Sequence, residues 1–214
     1  MALTVVRIRG YTPVAMSDGH PWLAATLDWV MRPMYPARRL VVPEATGRVL
    51  EVGVGTGLNF GLYRDVTSLA GVDPDPHMLA RARARVADLP FPVELHQTGA
   101  ERLPFPDDHF DTAVITFTLC TIPDPGAALA EVRRVLRPDG RLLFVEHTRS
   151  IQPLIGGVQD ALTPLWKIIG GGCHLNRRAT ELVRKAGFDV RNTTSVWSER
   201  WTLFPVYRAE ASKA

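Results

Sequence analysis

Three groups of residues in this 214-residue chain have types and spacing that suit chemistry. The first is Glu51-Val-Gly53-Val-Gly55-Thr56-Gly57. Glycines at alternate positions let the backbone turn sharply and approach a ligand, and a helix starting after the loop offers free N–H groups. The spacing is G-x-G-x-G, whereas a dinucleotide fingerprint needs G-x-G-x-x-G and would place its third glycine at Leu58. Glu51 would repel a pyrophosphate and favour a cationic ligand. The second group is Asp73, an acid that can accept both hydroxyls of a ribose. Alone it reads equally well as a turn residue before Pro74; beside the glycine loop, the ribose reading is preferred. The third group is His147 and His174, whose imidazoles titrate near neutral pH and are candidate bases. Each has a plainer reading, as a strand-end or a helix-start histidine. Cys120 and Cys173 have no second Cys or His at metal-ligand spacing, so no metal is expected and both thiols should be reduced. Cys173 reads as a packed small hydrophobe rather than a nucleophile.

The elements that position these residues follow from periodicity and punctuation. An amphipathic helix spans residues 21–35 and is broken by Pro33. Strands are expected at 48–52, 68–72, 93–97, 110–117 and 141–145, with two more near Val190 and Leu203. Helices are expected at 58–64, 75–87 (Asp75 as N-cap, Pro76 at N1), 125–136, 159–169 and 176–186. Arg137-Pro-Asp-Gly140 reads as a turn. Strands alternating with helices imply right-handed crossovers, a mostly parallel sheet covered on both faces, and ligands at the carboxyl ends of the strands. The glycine loop, Asp73 and His147 fall at such ends, and His174 lies in a Gly-rich turn.

Composition bounds the class. Lys and Arg number 25 against 22 Asp and Glu, a net charge of +3, with 46% hydrophobic residues. These values suit one globular domain and exclude disorder, collagen-like repeats and disulfide scaffolds. No like-charge block suggests a nucleic-acid arm, and no apolar run nears the roughly 20 residues that span a bilayer. Arg7 and Arg9 are not followed by an apolar signal region, so a cytoplasmic location is expected.

Five motifs then occur in order: Glu51-x-Gly-x-Gly-x-Gly57, Asp73, Gly99-Ala-Glu-Arg-Leu-Pro-Phe105, Phe110-Asp111 and Glu131-Val-Arg-Arg-Val-Leu-Arg-Pro-Asp-Gly140. With them the chain resembles the class I S-adenosylmethionine-dependent methyltransferases, in the group that includes quinone-biosynthesis C-methyltransferases. The resemblance covers residues 45–150. It implies an α/β, Rossmann-like fold with a seven-stranded, mostly parallel sheet and helices on both faces. One domain, 1–214, would comprise an N-terminal helical lid (1–44), a cofactor core (45–150) and acceptor-side helices and last strands (151–214).

The implied cofactor is S-adenosyl-L-methionine, released as S-adenosyl-L-homocysteine. Its methionine part would lie against Glu51, Gly53, Gly55, Thr56, Gly57 and Asn59, and its ribose against Asp73. Pro74 and Met78 would flank the adenine, whose edge would meet Gly99, Ala100 and Glu101. Thr116, Phe117, Thr118 and Leu119 would border the sulfonium. The family commonly carries Asp where this chain has Gly99, so the adenine amino contact must come from Glu101, a backbone carbonyl or water.

Trp166-Lys-Ile-Ile-Gly-Gly-Gly-Cys173-His-Leu-Asn-Arg177, Leu119-Cys-Thr121 and Glu146-His147 resemble the microsomal thiol S-methyltransferases and their bacterial relatives. Asn176 stands where that family has Thr and should cap the next helix. The family's N-terminal membrane anchor is not expected here. The first-strand motif is also very similar to that of bacterial phospholipid N-methyltransferases. The expected acceptor is a small lipophilic molecule, a thiol first, with a phospholipid amine or a quinol as alternatives. His147 and His174 are the expected catalytic bases, and Arg177 and Arg178 are expected to be surface charges. The first helix, with Trp22, Trp29, Met31 and Met34, is expected to lid an apolar acceptor pocket. Arg32, Arg38 and Arg39 would suit peripheral contact with an anionic bilayer. Nucleic acid is not an expected partner. An oxidoreductase is disfavoured by the loop spacing and Glu51, and a silent cofactor-binding module is the remote reading.

Overall fold

The computed structural model describes residues 19–197 and 202–214. Arg7 and Arg9 lie outside the described residues. Seven strands form one sheet: β1 (Thr46–Val52), β2 (Asp65–Asp73), β3 (Val93–Gln97), β4 (Phe110–Thr116), β5 (Leu136–His147), β6 (Phe188–Ser195) and β7 (Val206–Lys213). Their order is β3-β2-β1-β4-β5-β7-β6. Strands β1 to β5 pair in parallel, and β7 runs antiparallel to both β5 and β6. The expected architecture is therefore the observed one. The strand order reverses between β1 and β4, which opens a crevice at their carboxyl ends.

Near-continuous apolar runs such as Ala113-Val-Ile115 and Leu142-Leu-Phe-Val145 suit strands buried on both faces. Alternate side chains feed two cores. Leu50, Val52, Ile115 and Phe144 pack with Leu129 and Val132 of α4 (Pro125–Val135) and Val183 of α6 (Ala179–Lys185). Val49, Val114, Leu143 and Val145 pack on the other face with Ala37 of α2 (Tyr35–Arg38) and with Leu79 and Ala82 of α3 (Pro76–Ala84).

Several element boundaries differ from the sequence reading, each for a local reason. The first helix, α1, ends at Val30; a 3-10 turn over Arg32–Met34 then redirects the chain into α2. Residues 58–64 form only a 3-10 turn, Phe60–Leu62, because the preceding backbone is spent on loop bonds from Gly57 N to Val54 O and Phe60 N to Gly57 O. The Arg137–Gly140 turn is absorbed as a bulge inside β5, where the register jumps from Phe110↔Leu136 to Thr112↔Arg141. Helix α5 (Pro153–Ile169) starts six residues earlier than Gln159, with Pro153 in its first turn. Asn176 does not cap α6. Its Nδ2 donates to Asp160, while the Arg177 carbonyl accepts from Arg149 N and Thr148 Oγ1, which delays the helix to Ala179. The last strand begins at Val206, beyond Leu203. Among the described residues no helix is long and apolar enough to cross a membrane.

Candidate cofactor and acceptor site

At the end of β1, Gly53, Gly55 and Gly57 all adopt left-handed backbone (φ 69°, 55° and 80°), which a side chain would strain. Asp73, ending β2, organises the loop from below. Its Oδ2 accepts Gly55 N at 2.9 Å and its Oδ1 accepts Asp75 N at 2.9 Å. Burial pushes its carboxyl up to about 6, against those two amide bonds. Each oxygen has a further lone pair for a hydroxyl donor. Asp75 caps α3 as expected, accepting His77 N and Met78 N. Met78 is buried beneath that turn.

Glu51 is fully buried. Its Oε1 accepts Asn59 Nδ2 at 2.8 Å and its Oε2 accepts Tyr63 Oη at 2.8 Å. Burial raises its carboxyl to about 7, although Tyr63, Asn59 and the Arg38 charge favour the anion. Arg38 closes the network. Its Nη1 donates to Asn59 Oδ1 (2.9 Å) and Thr116 Oγ1 (2.6 Å), and its guanidinium lies 5.3 Å from the centre of the Phe117 ring. The Arg38 Nε–H is buried without a partner. The sequence reading placed Arg38 on the surface for a bilayer. That is corrected here: it lies inside, while Arg32 and Arg39 are exposed. The missed signal was its place on the inner face of a short helix, next to buried Ala37.

Helix α1 lies across the glycine loop. Asp28 accepts Thr56 Oγ1 and pairs with Arg85 and Arg81, so one carboxylate ties α1 to the loop and to α3. A Cβ on residue 55 would meet Leu27 at 3.7 Å, and Leu23 packs on Gly171 in the turn after α5. One helix thus spans both the glycine loop and the turn after α5. Trp22 and Trp29, expected to face a pocket, are 53% and 74% exposed and point outward.

Beyond β3, the Glu101 side chain folds back over Gly99. A Cβ on residue 99 would stand 2.7 Å from Glu101 Oε2, so the missing Asp side chain leaves room for this carboxylate. Glu101 Oε1 accepts Asp124 N at 3.3 Å. Ala100 is buried, and Pro74 O accepts Gln97 Nε2. Below them, Glu131 accepts Leu103 N and pairs with Arg134, whose guanidinium also donates to the Leu103 and Phe105 carbonyls. The motif Glu131…Arg134 therefore braces the 103–107 loop and does not enter the site.

Past β4 the chain turns at Phe117, held at φ 54°. Thr118 occupies the space that a Gly53 side chain would need. Glu146 Oε1 accepts both Thr118 N (2.6 Å) and Leu119 N (3.0 Å), and burial lifts the Glu146 carboxyl to about 7. Arg177 is not a surface charge; its Nη1 donates to the Leu119 and Ile122 carbonyls. Arg178 does pair on the surface, with Glu181.

Two residues past Thr118, a cluster assembles that the sequence spacing did not reveal. His147 Nε2 lies 3.1 Å from Cys173 Sγ, Cys120 is buried beside them, and Trp166 and His147 both face the Phe204 ring. Hydrogen bonding from Cys120, and then from His147, draws the Cys173 thiol well below its ordinary range, to about 4, against the opposing effect of burial. Burial disfavours the His147 imidazolium, but the Cys173 contact outweighs it and raises the His147 pKa. His174 stays apart from the pair: its backbone N and ring Nδ1 both engage the Cys120 carbonyl.

This arrangement fits a ligand with an amino-acid end and a ribose. A left-handed glycine loop offers backbone, a buried guanidinium has a free N–H for a carboxylate, a buried acid sits near it, and Asp73 has lone pairs for hydroxyls. Comparison with known proteins agrees. Residues 50–144 match the methyltransferase domain family. The chain is 40% identical over 139 residues to phosphatidylethanolamine N-methyltransferase of Cereibacter sphaeroides, covering 63% of this chain and 68% of that protein.

The chain belongs to the S-adenosylmethionine-dependent methyltransferases.

This methyltransferase is also 36% identical over 146 residues to thiol S-methyltransferase TMT1B of Rattus norvegicus, covering 65% of this chain and 59% of that one. The solved structure of a possible histamine N-methyltransferase from Thermotoga maritima superposes with a TM-score of 0.64 at 25% identity, over 91% of this chain and all of that one. The methyltransferase family implies S-adenosylmethionine as cofactor.

Proposed function

We propose that this methyltransferase moves the methyl group of S-adenosylmethionine to a small lipophilic thiol. The observation that carries the reading is His147 Nε2 at 3.1 Å from Cys173 Sγ, beside the loop that starts at Thr116. Bound there, the cofactor supplies a sulfonium-activated methyl group. Gly53, Gly55, Thr56, Gly57 and Asn59 would hold its methionine part, with Arg38 on the carboxylate and Glu51 on the ammonium. Asp73 would hold the ribose hydroxyls. Pro74, Met78, Gly99, Ala100 and Glu101 would enclose the adenine, Glu101 standing in for the family's Asp. Thr116, Phe117, Thr118 and Leu119 would border the reacting end.

Displacement on a sulfonium needs in-line positioning more than acid–base help, so most of the rate enhancement comes from holding the acceptor. A thiol reacts as thiolate, with an ordinary pKa of about 8.5, so a polar pair where the acceptor arrives lowers the barrier to losing its proton. The His147–Cys173 pair is that place. His174, tied to the Cys120 carbonyl, has the weaker claim to a catalytic role. Helix α1, spanning Gly55 and Gly171, would help to shield both subsites from water.

A second reading, transfer to a phospholipid amine with peripheral membrane contact, is favoured by α5. That helix buries Gln159 and Thr163 and exposes Leu154, Val158, Leu162, Leu165 and Ile168 along its outer face. Leu154 and Ile168 are 79% and 76% exposed. Gln159 can be buried because it bonds the Ser150 N–H and the carbonyls of Thr148, Leu175 and Leu203. Apolar outside and polar inside is the arrangement of a helix that meets lipid.

One experiment separates the readings. The purified protein is incubated with S-adenosylmethionine and, in turn, an alkyl thiol, phosphatidylethanolamine vesicles and a demethylated quinol, with S-adenosylhomocysteine as readout. The expected result is turnover with the thiol. Turnover with vesicles alone or the quinol alone refutes the thiol reading.

A further inference from the structure

We propose that Cys120, His147 and Cys173 bind one thiophilic divalent cation of the zinc class, leaving one coordination position open for the acceptor's sulfur. The open position rests on the thiol reading; the three ligands rest on the geometry. Cys120 follows β4, His147 ends β5 and Cys173 lies in the turn after α5, yet their ligand atoms all fall within 4.8 Å of one another. A tetrahedral ion with Zn–S of about 2.3 Å and Zn–N of about 2.0 Å places two sulfurs and a nitrogen roughly 3.5–3.8 Å apart. The observed ligand atoms, all within 4.8 Å of one another, lie close to that spacing.

The donor set also matches in charge. Two thiolates and a neutral imidazole cancel a divalent cation, so the buried site carries no net charge. Without a cation the same burial packs two thiols and a ring together. Three protein ligands and one open position are the pattern of a reactive rather than a structural zinc.

Placement gives the open position its use. Thr118 packs over Gly53 of the cofactor loop, and Cys120 stands two residues on. An acceptor thiol binding the ion would give up its proton to water. In the transfer, a lone pair of that sulfur forms the new S–CH3 bond while the sulfonium's C–S bond breaks. The electron pair of the broken bond stays on the departing sulfur, which becomes the neutral thioether of S-adenosylhomocysteine.

The test uses the full chain purified without chelator, with metal content measured by plasma mass spectrometry and folding checked by circular dichroism. The expected result is about one zinc per chain, lost in Cys173→Ser and His147→Ala and kept in His174→Ala. Cobalt in place of zinc should give the visible bands of a tetrahedral thiolate site, and added alkyl thiol should shift them. These spectra need no variant, so they remain decisive if a substitution unfolds the protein. A folded wild-type chain that takes up neither zinc nor cobalt overturns the proposal, as does uptake unchanged in both ligand variants. Thiol turnover by metal-free protein also overturns it while leaving the proposed function standing. Cobalt bands that no thiol moves refute the open position, and absence of thiol turnover by the zinc-loaded protein refutes the thiol reading itself.

Discussion

Replacing Glu51 with Gln tests the buried network at its centre. The ordinary carboxyl value of 4.5 rises to about 7 in the folded chain because the site is dry. The unfolded chain therefore loses this proton at a lower pH than the folded one. The group's full contribution to stability is present at and below pH 4.5, falls as pH rises, and levels off above 7. At 1.36 kcal/mol per pH unit, the gap corresponds to about 3 kcal/mol of stability withheld from the cofactor-free protein at pH 8. Gln cannot ionise and keeps the side-chain length. Asp73 and Glu146 are also raised and titrate in both proteins, so only their coupling to Glu51 enters the difference. Denaturant unfolding of both proteins from pH 4.5 to 8 should show the variant gaining about 3 kcal/mol relative to wild type across that range, roughly 6–12 °C in Tm for a chain of this size. The offset at pH 4.5 reports the bond lost to Asn59 or Tyr63; only its change with pH reports the ionisation. Calorimetry with S-adenosylhomocysteine should show the reverse. Its ammonium favours the Glu51 anion, so wild-type affinity rises as pH passes 7 and the variant binds weakly at every pH. Parallel stability curves for the two proteins would refute the reasoning.

Arg38→Met should lower S-adenosylhomocysteine affinity roughly 10- to 100-fold, the worth of a charged hydrogen bond of about 1.5–3 kcal/mol, and unchanged calorimetric affinity would remove Arg38 from the carboxylate subsite. Asp28→Ala should release α1 from Thr56, Arg81 and Arg85, costing at most about 1 kcal/mol of stability because the pairs are part-exposed, and should speed amide exchange in residues 21–30 selectively. The wild-type tether should also weaken in acid, as pH falls through the depressed Asp28 value: burial opposes that depression, but the Thr56 and Arg85 bonds outweigh it. Leu154→Asp with Ile168→Asp should abolish co-sedimentation with anionic vesicles while leaving turnover of a water-soluble thiol intact; equal sedimentation of the two proteins would dismiss α5 as a lipid-facing helix.

The glycine loop and the turns beside it were legible because their signals are local. The glycine spacing, the acid ending β2 and the Asp75-Pro76 cap each lie within a few residues of the backbone they shape. The mostly parallel sheet follows from the alternation of strands and helices, whereas the insertion of antiparallel β7 between β5 and β6 does not. Arg38 was not legible, because nothing in Tyr35-Pro-Ala-Arg38 announces that this arginine turns inward. Its burial is decided by Asn59 and Thr116, which lie 21 and 78 positions away. Arg177 is the same case, since the carbonyls it holds stand 58 and 55 positions before it.

The acceptor half depends still more on distant parts. Spacing rules for metal or nucleophile sites look for ligands on one hairpin or helix, whereas Cys120, His147 and Cys173 come from three elements that the β4–β5 pairing and the turn after α5 bring together. Their chemistry becomes visible once the parallel sheet aligns the ends of β4 and β5, because the next residues of each chain must then share one crevice. Under the proposed function, the methyl donor and the cluster would stand at opposite ends of a single loop, Thr116 to Cys120. Acceptor choice would then be decided by what that cluster holds beside the loop, and substitutions in the glycine motif should change cofactor affinity without changing which acceptor is used.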